Sequence, residues 1–192
     1  MTTHLTEVFS LIWIGWLVSW VAASFWSGRT EKRVATWQIS AYRTAMIAGG
    51  VLLVPWTARA LKDQQIWQIS YDWAFTLVGV MLVGILFTWW ARIHLGGLWS
   101  SAITRKEGHR VVDTGPYAFV RHPIYTGLIV AVLATAAAEA TVSSLFGAGL
   151  IAFGLWLKAR MEERFLMVEL GPDAYGSYRR RVPMLLPFLP RQ

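Results

Sequence analysis

Five stretches without a charged side chain alternate with polar segments along this chain: residues 8–28, 44–58, 73–91, 123–138 and 140–157. A helix that crosses the hydrocarbon core of a bilayer needs about 20 predominantly apolar residues, within a range of about 17–25. The first, third and fifth stretches meet that length alone. The second is short, and is extended by the snorkelling side chain of Arg59 and by the residues around Tyr42. The fourth is also short, and only Glu139 separates it from the fifth, so the pair predicts a tight helical hairpin. Five such runs exceed what a soluble core of this size can bury. The pattern predicts an all-α integral membrane protein with about five transmembrane helices in one domain. Residues 1–91 supply the N-terminal spans and residues 92–192 a second half richer in polar chemistry.

Composition agrees with the pattern. The 192 residues are 55% hydrophobic and 15% charged, with 12 Trp and no Cys, whereas a soluble domain is nearer a quarter charged. Without cysteine there is no disulfide framework, thiol nucleophile or thiolate-ligated zinc. The net charge of +7 does not point to nucleic acid, because the basic residues lie between and after the apolar runs, where they face anionic lipid headgroups. Sixteen of the 18 Lys and Arg follow the first, third and fifth stretches; only Arg59 and Lys62 follow the second. The bias of Lys and Arg to the cytoplasmic side then places the N-terminus outside and the C-terminus in the cytoplasm. The first seven residues carry no Lys or Arg and the run behind them is long, which reads as a span rather than a cleavable leader.

Both long polar segments, 92–122 and 158–192, fall on the predicted cytoplasmic side. The first ends in Gly115-Pro-Tyr-Ala-Phe-Val-Arg-His-Pro-Ile-Tyr-Thr-Gly127, where Pro123 suits the first position of a helix. The second opens with Lys158-Ala-Arg-Met-Glu-Glu-Arg164 as a continuation of the fifth helix. Arg160 and Arg164 share a face there, and the adjacent Glu162 and Glu163 do not. Tyr175 and Tyr178, three apart, make one aromatic face. Pro183, Pro187 and Pro190 exclude regular helix beyond them, leaving an apolar tail with two placements open, along the membrane surface or over a site. His109, His122, Glu162 and Glu163 lack the spacing of a zinc motif. A polar cofactor held by His, Tyr, Glu and backbone groups fits this inventory better.

At these residues the chain resembles the isoprenylcysteine carboxyl methyltransferase family. The resemblance runs from about Leu95 to Pro190, half of the chain. It is carried by His109-x-x-Val112-x-x-Gly115-x-Tyr117, by Arg121-His-Pro-x-Tyr125-x-Gly127 and by Glu162-Glu163-x-x-Leu166. Gly171-x-x-x-Tyr175-x-x-Tyr178, Arg181-Val-Pro and Leu186-Pro-Phe188 complete it in the same order. The resemblance implies a membrane enzyme that uses S-adenosylmethionine to methylate the carboxylate of a lipidated substrate entering from the bilayer. It implies cofactor contacts at His109, Arg110, Val111, Val112, Gly115, Tyr117, His122, Pro123, Ile124, Tyr125, Tyr175 and Tyr178, and at Glu162 or Glu163. Arg121 or Arg160 would orient the substrate anion, with Glu163 beside them in the catalytic group. Two departures stand out. Arg160 is spaced differently from the glutamates than the family's arginine, and Thr104 stands nearest the place of a family glutamine.

A carboxylate is already ionised near neutral pH, so its methylation needs no general base. Other acceptors pose different demands. A phospholipid amine or an isoprenoid alcohol must lose a proton, and His122 or a glutamate would then serve as base. A sterol-type reductase using a nicotinamide cofactor would draw on Arg179–Arg181 for a 2′-phosphate. A membrane scaffold without catalysis accounts for the spans but not for the concentration of His, Tyr and Glu on one side.

Overall fold

The computed structural model describes residues 2–25, 30–33, 36–99, 104–106 and 111–187. Five long helices form the body: α1 (Thr2–Ser24), α2 (Thr36–Leu53), α4 (Tyr71–Leu95), α5 (Pro123–Glu139) and α6 (Val142–Gly171), with short α3 (Pro55–Ala60) and α7 (Ser177–Arg181). Among the described residues, three helical segments are long and apolar enough to cross a membrane: Thr6–Ser24, Tyr71–Leu98 and Val142–Arg181. The apolar α5 is shorter. The second apolar stretch departs from expectation. It does not run through residue 58 but ends at Leu53, and Pro55 opens the separate helix α3, because proline lacks the N–H that an interior helix turn requires. A short antiparallel ribbon accompanies the helices: β1 (Thr30–Arg33) pairs with β2 (Thr104–Lys106). It joins the segment after α1 to the segment after α4, so these two basic regions share one end of the bundle.

The predicted hairpin is present, and its turn is specified locally. Ala140 closes α5 in the left-handed conformation (φ 55°), and Thr141 and Ser144 cap α6 reciprocally. Ser70 caps the start of α4, Asp72 sits in its first turn, and Arg92 and His94 occupy its last turn, each matching the sign of the helix dipole. At about 1.5 Å per residue, the 30 residues of α6 span about 45 Å. That exceeds a hydrocarbon core of about 30 Å, so its last turns project beyond the bilayer.

Glycines set the distance between the helix pairs. A Cβ on Gly127 of α5 would stand 2.5 Å from the carbonyl oxygen of Gly84 in α4, and one on Gly49 of α2 would stand 2.5 Å from that of Gly147 in α6. Backbones this close gain dispersion contacts in a medium where apolar burial alone gives no drive. α1 is held differently, by indoles on polar atoms: Trp13 Nε1 donates to Thr135 Oγ1 (3.1 Å) and Trp16 Nε1 to Thr88 Oγ1 (3.2 Å). The fully buried Arg92 guanidinium donates to the carbonyls of Ala23 and Gly96 and covers the Trp99 ring. It thereby fixes the end of α1 to the end of α4.

Gly127→Val is expected to destabilise the protein by about 1–3 kcal/mol, the usual range for overpacking. Gly79→Ala, where an added Cβ meets nothing within 4 Å, is expected to raise stability by up to about 1 kcal/mol, the helix-propensity difference. Thermal unfolding of both variants in one detergent checks the contrast.

Candidate functional site

Four segments converge where α6 emerges from the bundle: the chain before α5, the first turn of α5, the last turns of α6 and the C-terminal tail. Their centre is Arg121. Its Nε donates to Glu163 Oε1 at 2.6 Å, and its Nη1 donates to the carbonyls of Arg179 and Val182. Both members of the ion pair are buried. The backbone on either side repeats the connection. Arg121 N donates to Pro183 O, His122 N donates to Met184 O, and Thr126 Oγ1 donates to Leu185 O. Residues 182–185 are thus strapped across the start of α5.

Rotation of α6 is fixed by this pair, and the next residue follows from it. With Glu163 turned to Arg121, Glu162 faces a cavity of about 290 Å³. Tyr125 Oη donates to Glu162 Oε1 at 2.6 Å. Lys158, one turn earlier on the same face, brings Nζ within 3.9 Å of Glu162 Oε1 and lies over the Tyr125 ring. His122 stacks flat on Tyr125 (centroids 5.3 Å, planes 5° apart). Its Nδ1 is 3.5 Å from Glu162 Oε2 and its Nε2 is 3.3 Å from Glu163 Oε1. The second contact lies off the hydrogen-bonding direction, so buried Nε2 has no hydrogen-bond partner among the described residues. Burial alone would lower the His122 pKa, but the two carboxylates outweigh it and hold the ring above its ordinary value of 6.5.

From this polar end the cavity passes into an apolar one. Trp16 and Trp20 from α1, Met46 from α2, Leu98 and Trp99 after α4, and Leu128 from α5 form its wall. Trp20 stacks on Trp16 and meets the edges of Trp89 and Trp99. At the other side Tyr178 Oη donates to the Tyr117 carbonyl (2.7 Å) and Tyr175 packs edge-on against Tyr178. Of the residues singled out from sequence, Val111, Val112, Tyr117, Arg121, His122, Pro123, Ile124, Tyr125, Glu162, Tyr175 and Tyr178 line this one cavity. His109 and Arg110 lie outside the described residues.

Three expected positions fall elsewhere. Gly115, at φ +57°, packs on the back of His94, where an added Cβ would stand 2.7 Å from the ring; it shapes the turn before Tyr117 and does not line the cavity. Glu163 is turned away to Arg121. Arg160 lies two residues from both Lys158 and Glu162, about 200° around the helix, and its guanidinium rests over Trp156 outside the cavity. Lys158 is the cation that sequence reasoning passed over. Its signal was the i, i+4 spacing to Glu162, which places the two on one face. The tryptophans of α1 were also missed, because an interfacial belt explains them equally well in sequence.

A family profile described as the isoprenylcysteine carboxyl methyltransferase (ICMT) family matches residues 77–168. Methanethiol S-methyltransferases 1 and 2 of Bradyrhizobium diazoefficiens are 32% identical over 148 residues and 35% identical over 149. Both alignments cover 72% of this chain, and they cover 50% and 56% of those proteins. Protein-S-isoprenylcysteine O-methyltransferase of Schizosaccharomyces pombe is 32% identical over 93 residues, 46% of this chain and 38% of that protein. The chain spans about half the length of the Bradyrhizobium proteins it matches.

Removing Arg121 leaves Glu163 with only its longer contacts to His122 and Arg179. Arg121→Gln is expected to lower stability by about 1–3 kcal/mol, the cost of losing charge-assisted hydrogen bonds, to expose the tail to protease, and to be rescued in part by adding Glu163→Gln. A double variant no more stable than the single one would contradict the clamp. The raised His122 pKa gives a second expectation. The stability His122 contributes is complete below pH 6.5, its ordinary value, and is lost as pH rises through the raised one. The melting temperature of the wild type should therefore fall across that interval relative to His122→Gln; parallel profiles would show that the carboxylates do not hold the proton.

Proposed function

The chain belongs to the isoprenylcysteine carboxyl methyltransferase family, and from that premise we propose that it is a membrane methyltransferase that uses S-adenosylmethionine. Its proposed acceptor is a lipidated carboxylate of the isoprenylcysteine type, reaching the cavity from the bilayer. The supporting observation is the pairing of Glu162 and Lys158 on one cavity face, an anion and a cation at the junction of polar and apolar halves. The cofactor supplies an electrophilic methyl group on a sulfonium, and the protein supplies position and electrostatics.

The residues present fit such a cofactor. Glu162 offers carboxylate oxygens to its hydroxyl or ammonium groups, and His122 Nε2, 3.3 Å from Glu163 Oε1, makes no hydrogen bond among the described residues. Tyr117, Tyr125, Val111 and Val112 give flat and apolar surface around them, and His109 and Arg110 complete the set that the family resemblance implies. Lys158, in place of Arg121 or Arg160, orients the acceptor anion. Arg121 and Glu163 act through position: they seat the tail and set the rotation of α6. The carboxylates of Glu162 and Glu163 favour the protonated form of His122, and an acceptor that is already ionised asks for no base. The basic end of the bundle faces the cytoplasm in this reading, and the acceptor enters along the tryptophan wall of α1.

A small thiol is the second reading. The alignments to the two Bradyrhizobium methanethiol S-methyltransferases extend over more of the chain than the one to the S. pombe protein. A cavity of about 290 Å³ also stands at the lower edge of ligand pockets, which run from about 300 to 1,000 Å³, so an acceptor sharing it with a cofactor has little room for a long chain. A simple alkanethiol is a weaker acid than a cysteine thiol (about 8.5) and must lose a proton, which the carboxylate does not require.

Labelled methyl transfer to an S-prenylated cysteine with a free carboxylate, beside methanethiol, separates the readings. Transfer to the carboxylate, reduced at least about tenfold in kcat/KM by Lys158→Met with cofactor affinity retained, is expected for loss of a charge-assisted contact. Transfer to the thiol alone would replace the first reading with the second.

A further inference from the structure

At the opposite end of α4, about 30 Å away by its helical rise, the fold encloses a second cavity of about 390 Å³. Its walls come from the start of α1, from α3, from the α3–α4 segment, and from the turn between α5 and α6. That turn is pinned. Ile66 N donates to Ala140 O, Gln65 Nε2 donates to Glu139 O, and Ser143 N donates to Asp63 Oδ2 at 2.7 Å. Asp63 is thereby spent on the start of α6.

Two ionisable groups of the cavity lack a partner among the described residues. Glu139 presents a buried Oε2 with no hydrogen-bond partner among the described residues. It stands at the C-terminus of α5, where the helix dipole also disfavours a carboxylate. Arg59, on the rim, makes no ion pair among the described residues. Tyr71 on its wall is exposed, as are Trp56 and Trp73, next in sequence to the lining residues Pro55 and Ala74, and Trp67 is anchored by its indole N–H on the carbonyl of Ala137. Exposed Trp and Tyr are enriched at the headgroup level of a bilayer.

We propose that this cavity is a binding site for a phospholipid with a primary-ammonium headgroup. The ammonium would meet Glu139, with the side-chain oxygens of Gln65 and Gln68 available to its remaining N–H groups. Arg59 takes the phosphate. One ligand then partners both groups, which a purely anionic or a neutral lipid cannot do. The site is independent of the methyl-transfer reading, being at the far end of the bundle.

Native mass spectrometry of the full chain, with phosphatidylethanolamine or phosphatidylglycerol added at equal concentration, tests the proposal. Retention of the first should exceed the second by about tenfold, the difference expected for one charge-assisted contact. Glu139→Gln should bring the two to parity, with an unchanged melting temperature showing that the fold persists. Arg59→Gln, at an exposed position, should weaken both lipids alike and serves if the first variant does not fold. Equal retention by the wild type, as expected if Arg59 and Glu139 simply neutralise each other, would overturn the proposal. So would a preference that survives in Glu139→Gln. Displacement by soluble glycerophosphoethanolamine at equal concentration would overturn the lipid assignment.

Discussion

The site depends on one buried contact, the ion pair between Arg121 and Glu163. Its net worth to stability is not the point, since burying two charges consumes much of what their attraction returns. Its consequence is register. An arginine immediately before α5 can reach a carboxylate on α6 and two carbonyls of the tail only when all three segments are correctly placed. Once Glu163 faces inward, helical geometry turns Glu162 and Lys158 to the cavity and Arg160 away from it. A pair that touches no part of the cavity's apolar half therefore decides which charges a ligand meets.

Packing in the bundle serves the same end by other means. Between α4 and α5, and between α2 and α6, paired glycines let backbones touch, so little side-chain volume is lost between those helices. α1 has no such seam and stands off on indoles that donate to Thr88 and Thr135. The space left at its inner edge becomes the tryptophan-walled half of the cavity. Tight seams on two sides and an aromatic spacer on the third thus produce a chamber with one polar and one apolar end. Such a chamber suits a polar cofactor beside an apolar acceptor.

Much of this was legible in the sequence, for identifiable reasons. Apolar runs and the lone Glu139 between two of them announced the helices and the hairpin. Pro123 marked the start of α5, and the prolines beyond Arg181 marked a non-helical tail. His122, Tyr125 and the Glu162/Glu163 pair stand out through the motifs that resemble the family, and the sequence leaves open which glutamate faces the cavity. Other features depend on tertiary placement. Arg121 and Arg160 are equivalent as cations in sequence, and only the position of Glu163 shows that one is buried in a clamp and the other rests on Trp156. Lys158 reads as an interfacial anchor until α6 is rotated by that clamp. The stop at Leu53 was signalled by Pro55, but the apolar residues that follow continue the hydropathy and conceal it. The ribbon between Thr30–Arg33 and Thr104–Lys106 joins segments with no shared pattern.

The central claim is that the cavity framed by Tyr117, His122, Tyr125 and Glu162 is built for S-adenosylmethionine. Calorimetric titration of the detergent-purified protein with S-adenosylhomocysteine, run beside NADPH, tests it most directly. Micromolar binding of S-adenosylhomocysteine, weakened by Glu162→Gln, and no binding of NADPH is the predicted result. Binding of NADPH alone would contradict the account and make the same cavity the site of a reductase.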